Sequence, residues 1–249
     1  MPMSAVKVRG LRKEYDNVVA LNGIDLDFKW GEIHGLLGPN GAGKTTMMHI
    51  IAGILRPTAG TVEVAGYDVI EDNMSVKEIT GFLPENPPLY ERLLGYEFLD
   101  FIGQIRGLSG EEIERKIEYY ASLLEFEDKL SSFTGTYSKG IKQKIGIAAA
   151  MMHDPKVLIL DEPASGLDPR ITSVLKRHLK KWVLSEKRAI IVSTHITSFA
   201  EDLCDRISII SHGEILVTGS VEDVVSHYSA RNLEEAFISA IGRVDDEGR

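Results

Sequence analysis

Cysteine is almost missing from this chain: Cys204 stands alone among 249 residues, so no disulfide framework exists and a reducing compartment, the cytoplasm, is expected. No stretch approaches the roughly 18 apolar residues of a membrane-spanning helix. The N-terminus, MPMSAVKVRG, lacks the continuous apolar segment of a secretory leader. Any membrane role is therefore expected to come through a partner. Positive charge is also in deficit, with 28 Lys and Arg against 37 Asp and Glu and a net charge of -9. That balance argues against a nucleic-acid partner, since phosphate-backbone binding draws on clustered basic residues. A nucleotide site, which needs only local positive potential, stays open. Hydrophobic residues reach 43%, enough for a full core. No internal repeat or low-complexity linker is present, and the length suits one large α/β domain or two small ones.

Residues 4–35 alternate apolar and polar positions, as strands do, with turns at Asp16-Asn17 and Trp30-Gly31. Ile33 to Leu37 reads as a strand, Thr46 to Leu55 as a helix, and Gly60 to Ala65 and Ile79 to Leu83 as further strands. The prolines of Glu85-Asn86-Pro87-Pro88-Leu89-Tyr90 forbid helix. From Gly95 to Asp128 the spacing turns helical. Phe98, Phe101, Ile102 and Ile105 share one face; Ile113, Ile117, Tyr120 and Leu124 share another. The apolar runs at 156–161 and 189–194 suit buried parallel strands, and Leu233, Phe237, Ile238 and Ile241 predict an amphipathic helix before a polar end, Asp245 to Arg249. The pattern implies one domain: a parallel sheet core, an antiparallel part, and a helical lobe inserted near residues 86–150.

GPNGAGKTT, Gly38 to Thr46, fits G-x-x-x-x-G-K-[ST] between the strand and the helix just described. Glycines suit this loop because Cβ atoms would keep backbone N–H groups from closing around polyphosphate oxygens. Gly38, Pro39, Asn40, Gly41, Ala42, Gly43, Lys44, Thr45 and Thr46 are thus candidate ligands of a polyphosphate. Lys44 is expected to reach the β- and γ-phosphates and the Thr45 hydroxyl to ligate Mg²⁺. The helix that follows adds partial positive charge at its N-terminus.

In Val157 to Pro163, VLILDEP, four apolar residues bury a strand, and Asp161 and Glu162 emerge at its carboxyl end, where open α/β sheets hold ligands. Asp161 is placed to hold Mg²⁺ through water, and Glu162 to take a proton from an attacking water. Either acid alone would equally suit a helix cap. His195 ends the 189–194 strand, where a histidine can contact a γ-phosphate or orient the catalytic groups.

Together these motifs resemble the nucleotide-binding subunit of ABC transporters over essentially residues 4–228, with residues 229–249 left as a C-terminal helix and tail. The resemblance implies an α/β P-loop NTPase fold: a parallel sheet core, an antiparallel β subdomain and an inserted helical subdomain. It implies an ATPase with ATP and Mg²⁺ as cofactors and Lys44, Glu162 and His195 as catalytic residues. Glu85 takes the place of the family's usual Gln, and its carboxylate can still coordinate Mg²⁺. Tyr137-Ser138-Lys139-Gly140-Ile141 matches the signature in a form that departs from LSGGQ; it adds a charge at Lys139, loses a polar contact at Ile141, and keeps Ser138 and Gly140 to complete the ATP site of the opposite copy. Ser165 to Asp168 matches the D-loop, and Tyr15 the aromatic that stacks on adenine, although a plain core or surface tyrosine is an open reading there. The segment Phe82 to Tyr90 resembles exporters of the type-2 class. A homodimer and a separate multi-spanning permease are implied as partners, at the cytoplasmic face of the membrane. Two rival readings differ in class: a soluble ABC ATPase not coupled to transport, and a non-hydrolysing regulatory module. The apolar group Pro87, Pro88, Leu89 and Tyr90 reads either as a permease dock or as packing within the helical lobe.

Overall fold

The alternating N-terminal stretch forms two antiparallel strands, β1 (Ser4–Tyr15) and β2 (Val18–Lys29), which turn at Asp16 with φ at 47°. Asp tolerates that left-handed conformation better than most side chains. The computed structural model describes residues 4–184 and 187–247. β3 (Ile33–Leu37) opens a second sheet and leads through a loop into α1 (Lys44–Ile51). That helix starts before Thr46 and stops before Leu55, because Gly53 turns the chain with φ at 69°. β4 (Ala59–Val64) and β5 (Tyr67–Asp68) return to the first sheet, ordered β2-β1-β4-β5.

A short helix that the residue spacing does not predict, α2 (Asn73–Ile79), absorbs Ile79, so β6 is Thr80–Leu83. The helical region then divides into α3 (Gly95–Ile105) and α4 (Gly110–Leu124), followed by α5 (Lys139–Met151). Ile113, Ile117, Tyr120 and Leu124 of α4 are buried as expected. The α3 face is turned from the one anticipated: Phe98, Leu99 and Gly103 are buried, whereas Phe101 and Ile105 are exposed. Gly103 explains the rotation, since a Cβ there would lie 2.6 Å from Ile113 Cγ1; the glycine lets α4 approach closely.

β7 (Val157–Asp161), α6 (Pro169–Leu184), β8 (Ala189–Thr194), α7 (Thr197–Leu203), β9 (Arg206–Ser211), β10 (Glu214–Gly219), α8 (Val221–His227) and α9 (Leu233–Glu247) complete the chain. The last helix runs through the stretch expected to be a polar end. It buries Leu233, Ala236 and Ala240 rather than Ile238, which is exposed; Gly248 and Arg249 lie outside the described residues. The second sheet has the order β10-β9-β3-β8-β7-β6, parallel except for β10.

Strand periodicity divides this sheet between two cores. Leu158, Leu160, Ile190 and Val192 face a core shared with α3 to α7, while Val157, Ile159, Ala189 and Ile191 face one shared with α1 and the first sheet. With both faces covered, the strands read as continuous apolar runs, and each buried Leu or Ile contributes about 1.5–3 kcal/mol.

Among the buried polar side chains, one is a histidine with an unpaired ring nitrogen. His34 of β3 is edge-on to Phe28, shares a 2.8 Å hydrogen bond between Nε2 and Ser208 Oγ, and leaves Nδ1 without a partner. Burial pushes its pKa down to about 3, helped by the charges of Arg206 and Lys29. The folded chain thus refuses a proton that the unfolded chain accepts near 6.5, so this group lowers stability as pH falls from 6.5 toward 3. His34→Gln is expected to shrink the drop in urea midpoint between about pH 7 and about pH 5. An unchanged pH dependence would mean that His34 is not held neutral by the fold.

Candidate functional site

The loop between β3 and α1 is built on close backbone approach. A Cβ on Gly38 would sit 2.3 Å from Ile210 O, and one on Gly43 would sit 2.6 Å from Ala20 O, with Gly43 also at φ 107°. Glycine at both positions is therefore required by packing against β9 and β2, as well as by any phosphate. Ala42 is buried; its N–H donates to Pro39 O at 3.2 Å and its carbonyl accepts from Gly213 N–H at 3.1 Å. Asn40 and Gly41 are exposed at the tip. No side chain caps the N-terminus of α1, so the first-turn amides, those of Lys44, Thr45 and Thr46 among them, lack helical acceptors and suit an anion. Lys44 Nζ folds back on the loop, donating to Gly38 O at 2.7 Å and Pro39 O at 3.0 Å. Burial lowers its pKa, against the opposing charges of Glu162, Asp161 and Glu85.

Asp161 sits at the carboxyl end of β7 and is buried. Its Oδ2 accepts from Thr45 Oγ1 at 2.7 Å, and its Oδ1 accepts from Ser193 Oγ on β8. Glu162 follows with φ at 49°, a left-handed backbone that is costly for a residue with a long side chain. The Glu162 N–H donates to Ser193 O at 3.2 Å and to Ser193 Oγ at 3.1 Å. The carboxylate lies 2.8 Å from His195 Nδ1 through Oε1 and accepts from Thr194 Oγ1 at 3.3 Å through Oε2. Lys44, Thr45, Asp161, Glu162 and His195 are thus one cluster at the carboxyl edge of the parallel strands, as ligand sites in open α/β sheets are.

Among the described residues no three His, Cys, Asp or Glu side chains form a metal cage. The Thr45 hydroxyl and Asp161 carboxylate are hard oxygens in contact with each other, which fits Mg²⁺, a cation held by one or two carboxylates together with substrate phosphates. Glu85 is exposed just after β6 and feels Lys44 through its charge, without a hydrogen bond to Thr45 or Asp161.

Other expected ligands stand apart from this cluster. Ser138 is exposed and caps α5, accepting from Ile141 N–H at 3.4 Å, and no described hydrogen bond joins it to Gly38–Thr46. Gly140 faces Gly166 instead, where a Cβ would lie 2.5 Å from Gly166 O. Tyr15 is exposed at the end of β1, with Lys13 Nζ 5.0 Å from its ring centroid. The apolar group after Glu85 is split. Pro87 packs on Gly146 and Leu89 on the core, while Pro88 and Tyr90 are exposed and Tyr90 meets Phe101 edge-on at 5.7 Å. They border a groove of about 1090 Å³ between α2, β6 and α3, lined by Phe82, Leu89, Phe98, Ile102, Lys77 and Arg106 among others.

Sequence reasoning missed Ser193 and Thr194, and also Gln143, whose Nε2 donates to Glu162 O at 3.1 Å. Ser193 and Thr194 directly precede His195, and their hydroxyls at a strand end offered a signal. Gln143 offered none, since it lies in a stretch, KGIKQKIGIAAAM, that looks solvated at its start.

The ABC transporter family matches residues 21–165, and this chain belongs to that family. It is 34% identical over 91% of its length to the ABC transporter ATP-binding protein NatA of Bacillus subtilis, covering 92% of that protein. Among solved structures it resembles an ATP-binding subunit of an ABC transporter at 31% identity and a TM-score of 0.89, covering 96% of this chain and 100% of that one. A dimeric ATP-binding cassette in a post-hydrolysis state, bound to ADP and Pi, aligns at 25% identity and a TM-score of 0.80 over 86% of this chain and 98% of that one. The fold is accordingly that of an ABC ATPase cassette, a family of ATP-hydrolysing transporter subunits.

The contact between Gly140 and Gly166 gives a direct test of the packing behind the site. Gly140→Ala should lower stability by about 1–3 kcal/mol in urea unfolding, the usual cost of overpacking against backbone. An unchanged midpoint would mean that the two segments are not in tight contact.

Proposed function

We propose that this chain is the ATPase motor of a membrane transporter of the type-2 exporter kind, acting as a homodimer on a separate multi-spanning permease at the cytoplasmic face of the membrane. The observation that supports it most is the grip on Glu162: a strained backbone, with His195 and Thr194 on its carboxylate, beside the Thr45–Asp161 contact. A carboxylate held this way is positioned for proton transfer rather than for helix capping.

In this reading the amides of Gly38 to Thr46 hold the phosphates of ATP, and Lys44 exchanges its loop carbonyls for the β- and γ-oxygens. Thr45, Asp161 and Glu85 would hold Mg²⁺, which when bound neutralises charge between those oxygens. Glu162 accepts the proton of the attacking water, and His195 fixes the carboxylate. Tyr15 stacks on adenine. Exposure of Ser138, with Gly140 behind it, leaves the start of α5 open to the nucleotide of the second copy, so that two sites close at one dimer interface. Glu162→Gln is expected to bind ATP normally, to slow turnover by about 10²–10⁴ and to accumulate an ATP-bound dimer by size-exclusion chromatography. Wild-type turnover in that variant would remove Glu162 from the mechanism.

Coupling is assigned to the segment Glu85 to Tyr90 and to the groove beside it, with residues 86–150 moving as a helical lobe. No helix among the described residues is long and apolar enough to cross a membrane, and in this reading the stroke reaches a separate permease. The groove joins an apolar floor to exposed Ile54, Met74 and Ile105. Tyr90 is 59% exposed at its margin, a position where a side chain adds little to the fold but much to a contact. Tyr90→Asp should weaken co-purification with the permease while thermal stability and the isolated subunit's ATPase stay at wild-type levels. A large loss of thermal stability would make Tyr90 a core residue and end the coupling assignment.

A further inference from the structure

Gln143 lies on α5, five residues beyond the cap Ser138, and is fully buried. Its Nε2 donates to the main-chain carbonyl of Glu162 at 3.1 Å, while its Oε1 is buried without a hydrogen-bond partner. Leaving an amide oxygen unpaired costs about 1–3 kcal/mol, and a leucine or methionine would fill this space without that cost. The amide is therefore a poor choice for packing and needs another reason.

The reason is the peptide that Nε2 touches. The Glu162 carbonyl also accepts from Ser165 N–H at 3.0 Å, closing the turn that leads to Gly166, so the fold alone already supplies that carbonyl with one donor. Gln143 adds a second. On the other side of the same residue, Ser193 receives the Glu162 N–H. The left-handed φ of 49° is thus held from β8 at its amide and from α5 at its carbonyl. A modest change in that dihedral would swing the carboxylate off His195 Nδ1 and Thr194 Oγ1. We infer that Gln143 is a positioning residue for the hydrolytic carboxylate: it links the helix capped by Ser138 to the backbone of Glu162 within one copy. The inference rests on the proposed role of Glu162 as base. It makes the orientation of the base depend on where α5 sits, so a contact made at the start of that helix is felt at the base through one side chain.

The test is a double-mutant cycle on the dimeric ATPase, with thermal stability measured in parallel. Gln143→Leu is expected to reduce kcat about 10- to 100-fold, the cost of a misplaced catalytic group, with KM for ATP little changed. Its melting temperature should stay level or rise, because the unpaired oxygen is gone; Gln143→Met should behave the same way. In a Glu162→Gln background, Gln143→Leu should add almost no further loss, since the base through which it acts is already removed. Wild-type kcat in both Gln143 variants would overturn the inference, as would a kcat loss that follows a fall in melting temperature. Additive losses in the double mutant would also overturn it, because Gln143 would then act elsewhere. Wild-type turnover in Glu162→Gln alone would instead bring down the base assignment and the inference with it, an outcome distinct from the other three.

Discussion

The site depends on one carboxylate that joins three neighbouring strands. Asp161 ends β7, accepts from Ser193 of β8 and accepts from Thr45, which follows β3 through the glycine loop. The sheet order places β8 between β3 and β7, and the register pairs Asp161 with Ser193 and Leu37 with Thr194. Because these strands are parallel, their carboxyl ends lie along one edge, and the loop, the acids and His195 all emerge there. A slip of one residue in β7 would send Asp161 to the opposite face and exchange the residues that face each core. The two-core arrangement and the site are thus fixed by the same register.

One of the chain's left-handed residues lies where this register is held. A left-handed backbone at a residue such as Glu162 costs on the order of 1–3 kcal/mol and persists only when its surroundings over-determine it. Here a main-chain carbonyl and a hydroxyl of β8 hold the amide, and Ser165 and Gln143 hold the carbonyl. The side chain meets Thr194 and His195. Two adjacent acids thus have separate partners: Asp161 is engaged by the hydroxyls of Thr45 and Ser193, Glu162 by the imidazole of His195 and the hydroxyl of Thr194.

Much of this was legible in the residues. The loop, the buried strands and the acids follow from local rules: glycine at close approaches, apolar runs for covered parallel strands, charge at the strand ends. What was lost is long-range. The face of α3 was misread because Gly103, invisible to a hydrophobic pattern, lets Ile113 approach and turns the helix. On α9, Leu233, Phe237 and Ile241 meet the core as expected, but Ala236 and Ala240, which carry little hydrophobic signal, complete the buried face, while the more apolar Ile238 is left exposed. Gln143 was not singled out, because its partner is a peptide 19 residues away. The glycines at 38 and 43 were read for phosphate, and the structure adds a second constraint from Ile210 and Ala20.

The departures from the family pattern can be weighed by what each side chain touches. Ile141 packs against the core while its N–H donates to Ser138 Oγ, so an apolar residue there anchors the start of α5. Lys139 is exposed, and its aliphatic stem is beside Gly166. Glu85 changes the balance of charge. With Asp161 and Glu162 it makes three carboxylates acting on the single ammonium of Lys44. A polyphosphate brought into that surround adds further negative charge, and the partial charges of one helix N-terminus offset only part of it. A glutamine at position 85 would ease this repulsion; a glutamate increases it. In the ATPase proposed above, a divalent cation bound with the nucleotide would offset this repulsion.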